Sequence, residues 1–207
     1  MLSAQKVYCL EPTEIDPIEA ISRLYEAVCQ VSFGIIKCSD DSTIENISKF
    51  IDVKALASGD IENVIKNGSI QVLKGVDENI NLPDGSVNLV YSRAVLEHVK
   101  DIKQVYQENL RILKPEGCMV HQIALCSHNA HDRLFMYYNP LPSLSEFEHL
   151  NKKRLSEHLA CIEELGMSAT IKDKEIVPLR DQPLLPEFQK FSKDDLEVMS
   201  ALLLIKP

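Results

Sequence analysis

Glycine is thinly spread along this 207-residue chain. Its seven glycines, Gly34, Gly59, Gly68, Gly75, Gly85, Gly117 and Gly166, never stand close enough to form GxG, so neither a dinucleotide fingerprint nor a phosphate-cradling P-loop is present. Paired cysteines are missing too. Cys9, Cys29, Cys38, Cys118, Cys126 and Cys161 form no CxxC and no regular framework, the pattern of reduced thiols packed as small apolar side chains, which points to a cytoplasmic protein. No apolar run is long. The opening MLSAQKVYCLEP lacks a signal-peptide core, and ALLLI at 201–205 is too short to cross a bilayer, so neither secretion nor membrane insertion is expected. The sequons at Asn46 and Asn67 therefore read as chance. Basic charge is the minority, with 22 Lys and Arg against 31 Asp and Glu and a net charge of -9, so no broad surface neutralises phosphates and no nucleic-acid partner is expected.

What remains is globular material. Hydrophobic residues make up 45% and charged residues 26%, which suits a packed core, and the length predicts one domain over 1–207. KVYCL reads as a strand stopped by Glu11-Pro12. A helix follows over DPIEAISRLYEAV, with Asp16 as cap, Pro17 at its first position and Ile18, Ile21, Leu24, Tyr25 and Val28 on one face. Residues 40–66 predict two shorter helices, and SIQVLKGV after Asn67-Gly68 a second strand.

The stretch 82–117 carries most information. A turn at Pro83-Asp84-Gly85 leads into a buried-looking strand, VNLVYS, and then a helix from about Asp101 with Ile102, Val105, Leu110 and Leu113 on its apolar face. Lys114-Pro115-Glu116-Gly117 is expected to end that helix before the strand CMVHQIAL, giving a parallel βαβ unit. Residues 126–155 read as a loop or lid. Ser156 is expected to cap the helix EHLACIEEL, which Gly166 ends, and SATIKDKEIV and SALLLIKP supply two more strands around a short helix capped by Ser192.

LPDGSVNLVYSRAVLEHV followed by LRILKPEG resembles the class I S-adenosylmethionine-dependent methyltransferases. The resemblance implies an α/β, Rossmann-like fold, a mostly parallel sheet with an antiparallel C-terminal strand, entered here at the family's second strand. In that family the acid ending the second strand binds both ribose hydroxyls of the cofactor, which places the role on Glu11. A carboxylate can accept two hydrogen bonds from vicinal hydroxyls, and carboxyl strand ends are where open α/β sheets bind ligands. Without the resemblance, Glu11 would read as a solvated acid. The adenine-contacting acid falls on Asp77 or Glu78, and Pro12, Asn79, Ser92 and Arg93 complete the implied S-adenosylmethionine contacts. His98 is the candidate general base, with packing or capping as its plainer role.

His121, Cys126, His128 and His131 lie close in HQIALCSHNAH but run from a strand into a loop without zinc-site spacing, so no metal is expected. Family members often carry an acid where Ala124 stands, which unsettles any acceptor role there. The family's first strand and glycine loop have no counterpart, and that strand lies centrally, between the second and fourth. A gene fragment, a late start at Met1 and a repacked degenerate relative all fit. The implied activity is methyl transfer to a small-molecule or glycan acceptor, weak or absent in this chain. The alternative is a non-catalytic methyltransferase-like interaction module; a nicotinamide oxidoreductase fits LEHV and LKPEG poorly. Oligomeric state stays open.

Overall fold

A computed structural model describes residues 7–11, 70–74, 78–128, 131–139 and 150–207. The helices expected over 16–28 and 40–66, and the site candidates Pro12 and Asp77, lie outside the described residues. The chain divides into two compact units, Met1–Val76 and Asp77–Pro207.

In the first unit, β1 (Val7–Glu11) and β2 (Ile70–Lys74) pair in parallel, from Val7 opposite Ile70 to Glu11 opposite Lys74. Both are the β-rich runs expected as strands. Glu11 is the last residue of β1, at its carboxyl end.

The second unit holds a four-stranded sheet in the order β3-β4-β6-β5, built from β3 (Val87–Arg93), β4 (Leu113–Ala124), β5 (Ser168–Ile176) and β6 (Val198–Lys206). β3 and β4 are parallel, while β6 runs antiparallel to both β4 and β5, so only the C-terminal strand is reversed, as expected. Helix α1 (Ile102–Ile112) makes the crossover between β3 and β4. Asp101 caps it by accepting from the backbone N–H groups of Lys103 and Gln104, at 2.9 and 3.1 Å.

Several expectations are overturned. The apolar stripe of α1 is Ile102, Val105, Tyr106 and Ile112, with Leu110 only half-buried and Leu113 already in β4, because the helix turns into strand one residue before the stripe would have closed. Lys114–Gly117 do not precede β4 but bulge within it: Val87 pairs with Leu113 and Leu89 with Cys118, so the extra residues loop out between two ladder positions. VNLVYS, expected as a buried strand, has β4 as its one neighbour among the described residues, and Leu89 and Tyr91 are exposed. Ser156 lies inside α3 (Leu155–Glu164), whose cap is Arg154; the Glu157 carboxylate accepts from Arg154 N–H at 3.0 Å and satisfies that end instead. Gly166 does end the helix, at φ 76°.

β4 and β6 present alternate side chains to α1 and α3. Met119, Ile123, Leu203 and Ile205 join Leu96, Val105, Tyr106 and Ile162 in one core, each large buried chain contributing roughly 1.5–3 kcal/mol. A second core gathers Cys126, Leu134, Met136, Tyr137, Leu150, Phe188, Leu196 and Met199, around α2 (Phe135–Tyr138), a 3-10 turn at Pro186–Phe188 and α4 (Lys193–Leu196), which Ser192 caps. The described parts of 126–155 thus build core rather than a lid, because their aromatic and apolar residues cluster at close spacing. Among the described residues no helix is long and apolar enough to cross a membrane.

Candidate functional site

The carboxyl ends of β3 and β4 lie side by side, the edge at which open α/β sheets bind ligands. Ser92 is opposite His121 in the ladder, and its hydroxyl lies 2.7 Å from His121 Nδ1. His121 occupies a core position between Met119 and Ile123 and is fully buried, which pushes its pKa down to about 4. Its ring meets Tyr106 edge-to-face, and the Tyr106 hydroxyl lies 3.0 Å from Nδ1 of His158, another buried imidazole pushed down to about 4 by the same desolvation. Burial pushes the Tyr106 phenol up. A line of neutral polar groups therefore runs from the sheet edge into the core.

Beyond Arg93, which is exposed, the chain reverses at Ala94, whose φ of 53° is unusual for a residue with a Cβ. Residues 95–98 form a turn closed by His98 N–H to the Val95 carbonyl at 2.9 Å, so this segment is turn and the helix waits until Ile102. The turn buries the side chain of Glu97, 4% exposed, with no hydrogen bond to either carboxylate oxygen. His128 comes back from the end of β4 to place Nε2 at 3.7 Å from Glu97 Oε1, and its ring meets that of His98 at 4.9 Å between centroids.

The loop before β3 holds Glu78 and Asn79, half-buried and exposed. It is pinned by Arg111 of α1, which donates to the carbonyls of Ile80 and Leu82 at 2.9 and 2.8 Å and to Asp84 at 2.5 Å. Glu108 orients that guanidinium and accepts from Ile80 N–H at 2.6 Å, and Arg111 beside it holds the Glu108 carboxyl below its usual range. The carbonyl of Glu78 accepts from Gln104 at 3.3 Å.

Of the expected contacts, Ser92, Arg93 and His98 stand at or just beyond the carboxyl end of β3, Glu78 and Asn79 lie in the loop before that strand, and Glu11 ends β1 in the other unit. Sequence reasoning passed over Glu97 as part of a motif. The available signal was an acid inside the apolar run VLEHV. It also passed over Tyr106, His158 and Arg111, whose partners lie tens of residues away.

The family described as "Methyltransferase domain" matches residues 50–121. A malonyl-[acyl-carrier protein] O-methyltransferase of Calditerrivibrio nitroreducens is 34% identical over 83 residues, 40% of this chain and 34% of the relative, so the chain spans about a third of that protein's length. Among solved structures, a protein of Galdieria sulphuraria described as a "putative sarcosine dimethylglycine methyltransferase" aligns at 16% identity over 97% of this chain and 68% of its own, with a TM-score of 0.48. The YcgJ protein of Bacillus subtilis aligns at 16% identity over 97% and 80%, with a TM-score of 0.45. The matched segment carries β3, α1, most of β4 and the LEHV and LKPEG motifs, and over these residues the chain is similar to the methyltransferase domain family.

Proposed function

We propose that this chain forms the ribose-binding and acceptor-facing parts of a methyltransferase domain, and that by itself it binds S-adenosylmethionine weakly. The observation that supports this reading is the pair of parallel strands ending at Arg93 and Ala124, with Ser92 next to the carboxyl end of β3. Glu11 fits the ribose in kind, as a carboxylate ending a parallel strand. The methionine part fits poorly. Close approach of backbone to ligand needs glycines, and the two described glycines with left-handed φ, Gly85 and Gly166, serve a turn and a helix end.

When bound, the cofactor supplies an electrophilic methyl on sulfur, so the protein's task is to hold the acceptor in line. The resemblance assigns the cofactor contacts to Ser92, Arg93, Asn79, Pro12 and either Asp77 or Glu78, and His98, where its ring carries no metal ion, removes the acceptor's proton. The acceptor is a small molecule or glycan, since the charge balance disfavours nucleic acid. Cys118, Cys126 and Cys161 are free thiols, in keeping with the cytoplasm. Calorimetric titration with S-adenosylmethionine tests the weak-binding claim: little heat is expected, and micromolar affinity of the 207-residue chain would overturn it.

The absence of GxG among seven glycines favours a second reading, a non-catalytic methyltransferase-like interaction module. In-frame codons upstream of Met1 encoding a strand and a GxG loop would decide for the enzyme.

A further inference from the structure

Glu97 is out of place electrostatically. A carboxyl group at 4% exposure with no hydrogen bond to either oxygen leaves two buried acceptors unsatisfied unless a cation stands against them. The two lysines that share its cavity are committed elsewhere. Lys152 and Lys153 line the same small cavity of about 10 Å³ as Glu97, yet their ammonium groups pair with Glu187 at 2.6 Å and Glu157 at 3.0 Å. What faces Glu97 is a pair of imidazoles. His128 Nε2 stands 3.7 Å from Oε1, the His98 ring packs on His128, and one donor atom from each of the three residues lies within 4.8 Å of the others.

One carboxylate and two imidazoles are the donors that a borderline divalent transition ion selects. We propose that Glu97, His98 and His128 bind one zinc-class divalent ion at the carboxyl edge of β3 and β4, with a coordination position left open toward solvent. Bond lengths of about 2.0–2.1 Å in a tetrahedron set donor atoms about 3.4 Å apart, so the site must contract by up to about 1.4 Å. His128 can supply that movement, because its side chain is 47% exposed and turns without displacing core. The ion would neutralise the one carboxylate that the fold buries without a hydrogen bond among the described residues.

The assignment also separates members of the HQIALCSHNAH cluster. His121 is held in the core against Ser92, and Cys126 accepts from the Arg133 guanidinium at 3.3 Å, so neither reaches the site. His128 alone joins, with two ligands drawn from the turn after β3.

The test is titration of the tag-free chain with Zn²⁺ by calorimetry and with Co²⁺ by visible absorption, alongside Glu97→Gln, His98→Ala, His128→Ala and a control, His131→Ala. The parent and the control should take up one equivalent and show the absorption of low-symmetry Co²⁺, and each ligand variant should bind about tenfold or more weakly. Zn²⁺ should raise the melting temperature of the parent and not of His128→Ala, which separates lost binding from lost folding. No uptake by the parent at about 0.1 mM free ion, or uptake unchanged in both Glu97→Gln and His128→Ala, would overturn the proposal.

Discussion

The Ser92 hydroxyl lies 2.7 Å from His121 Nδ1 across the β3–β4 ladder, and among the described residues it is the one hydrogen-bond partner of an imidazole whose Nε2 is buried without any. A polar ring in a row otherwise held by Met119 and Ile123 is tolerated because that hydroxyl satisfies one of its nitrogens. The first prediction concerns this pair. Ser92→Ala strands both ring nitrogens and should cost about 1–3 kcal/mol, whereas Ser92→Ala with His121→Leu removes both polar partners and should recover much of that loss. Urea denaturation of the two variants and of His121→Leu completes the cycle. Additive effects would show that the two side chains are not coupled.

The buried histidines set an acid limit. His121 and His158 are pushed from about 6.5 in the unfolded chain to about 4 in the fold, so the unfolded state binds more protons between those values. Stability is therefore unaffected by these groups above about pH 6.5 and falls as the pH drops toward about 4, by up to about 1.4 kcal/mol per pH unit for each ring. Chemical denaturation at a series of pH values should show this slope, and His121→Leu should remove roughly half of it. An unchanged slope in that variant would mean that other groups govern acid unfolding.

Gly117 answers to space rather than to φ. A Cβ there would stand 2.7 Å from Leu113 Cδ1 and 2.9 Å from the Asn88 carbonyl oxygen, and the backbone oxygen cannot yield cheaply. Gly117→Ala should therefore cost about 1–3 kcal/mol, because it wedges open the bulge that starts the β3–β4 ladder. Gly85→Ala has open space but a φ of 57°, so its penalty is conformational and should be nearer 1 kcal/mol. Thermal melts of the two variants would rank them, and an unaffected Gly117→Ala would contradict the packing described.

Periodicity revealed elements and failed on neighbours. Asp101, Ser192 and Gly166 mark helix ends through local hydrogen bonds and local φ, which spacing alone encodes, and the alternation in HQIA and ALLLI marks two strands of the core. VNLVYS looked buried because its composition is apolar, but burial depends on how many strands flank β3, and that is a property of the sheet. Ser156 lost its capping role to Arg154 for the same kind of reason, since the helix start is fixed by contacts with β6 and the α4 turn. At the candidate site, Ser92 and His98 were visible through their motif. Glu97 was not weighed, because its meaning comes from His128, thirty-one residues later and on the far side of α1 in the chain.

Arg154 offers the last prediction. Its side chain is fully buried at the start of α3 and fans onto the carbonyls of Leu125, Asp195, Leu196 and Val198, with the guanidinium 5.3 Å from the Tyr137 ring centroid. Burial pulls its pKa down, while Tyr137 and Asp195 work the other way. The planar fork reaches carbonyls from two separate chain segments, so it ties the end of β4 to the start of β6. A lysine ammonium carries the same charge on a single point and cannot span both groups. Arg154→Lys should thus destabilise nearly as much as Arg154→Met, each by about 3 kcal/mol or more, since either leaves several buried carbonyls without a donor. If denaturant melts instead show Arg154→Lys close to the parent, charge rather than geometry holds this junction together.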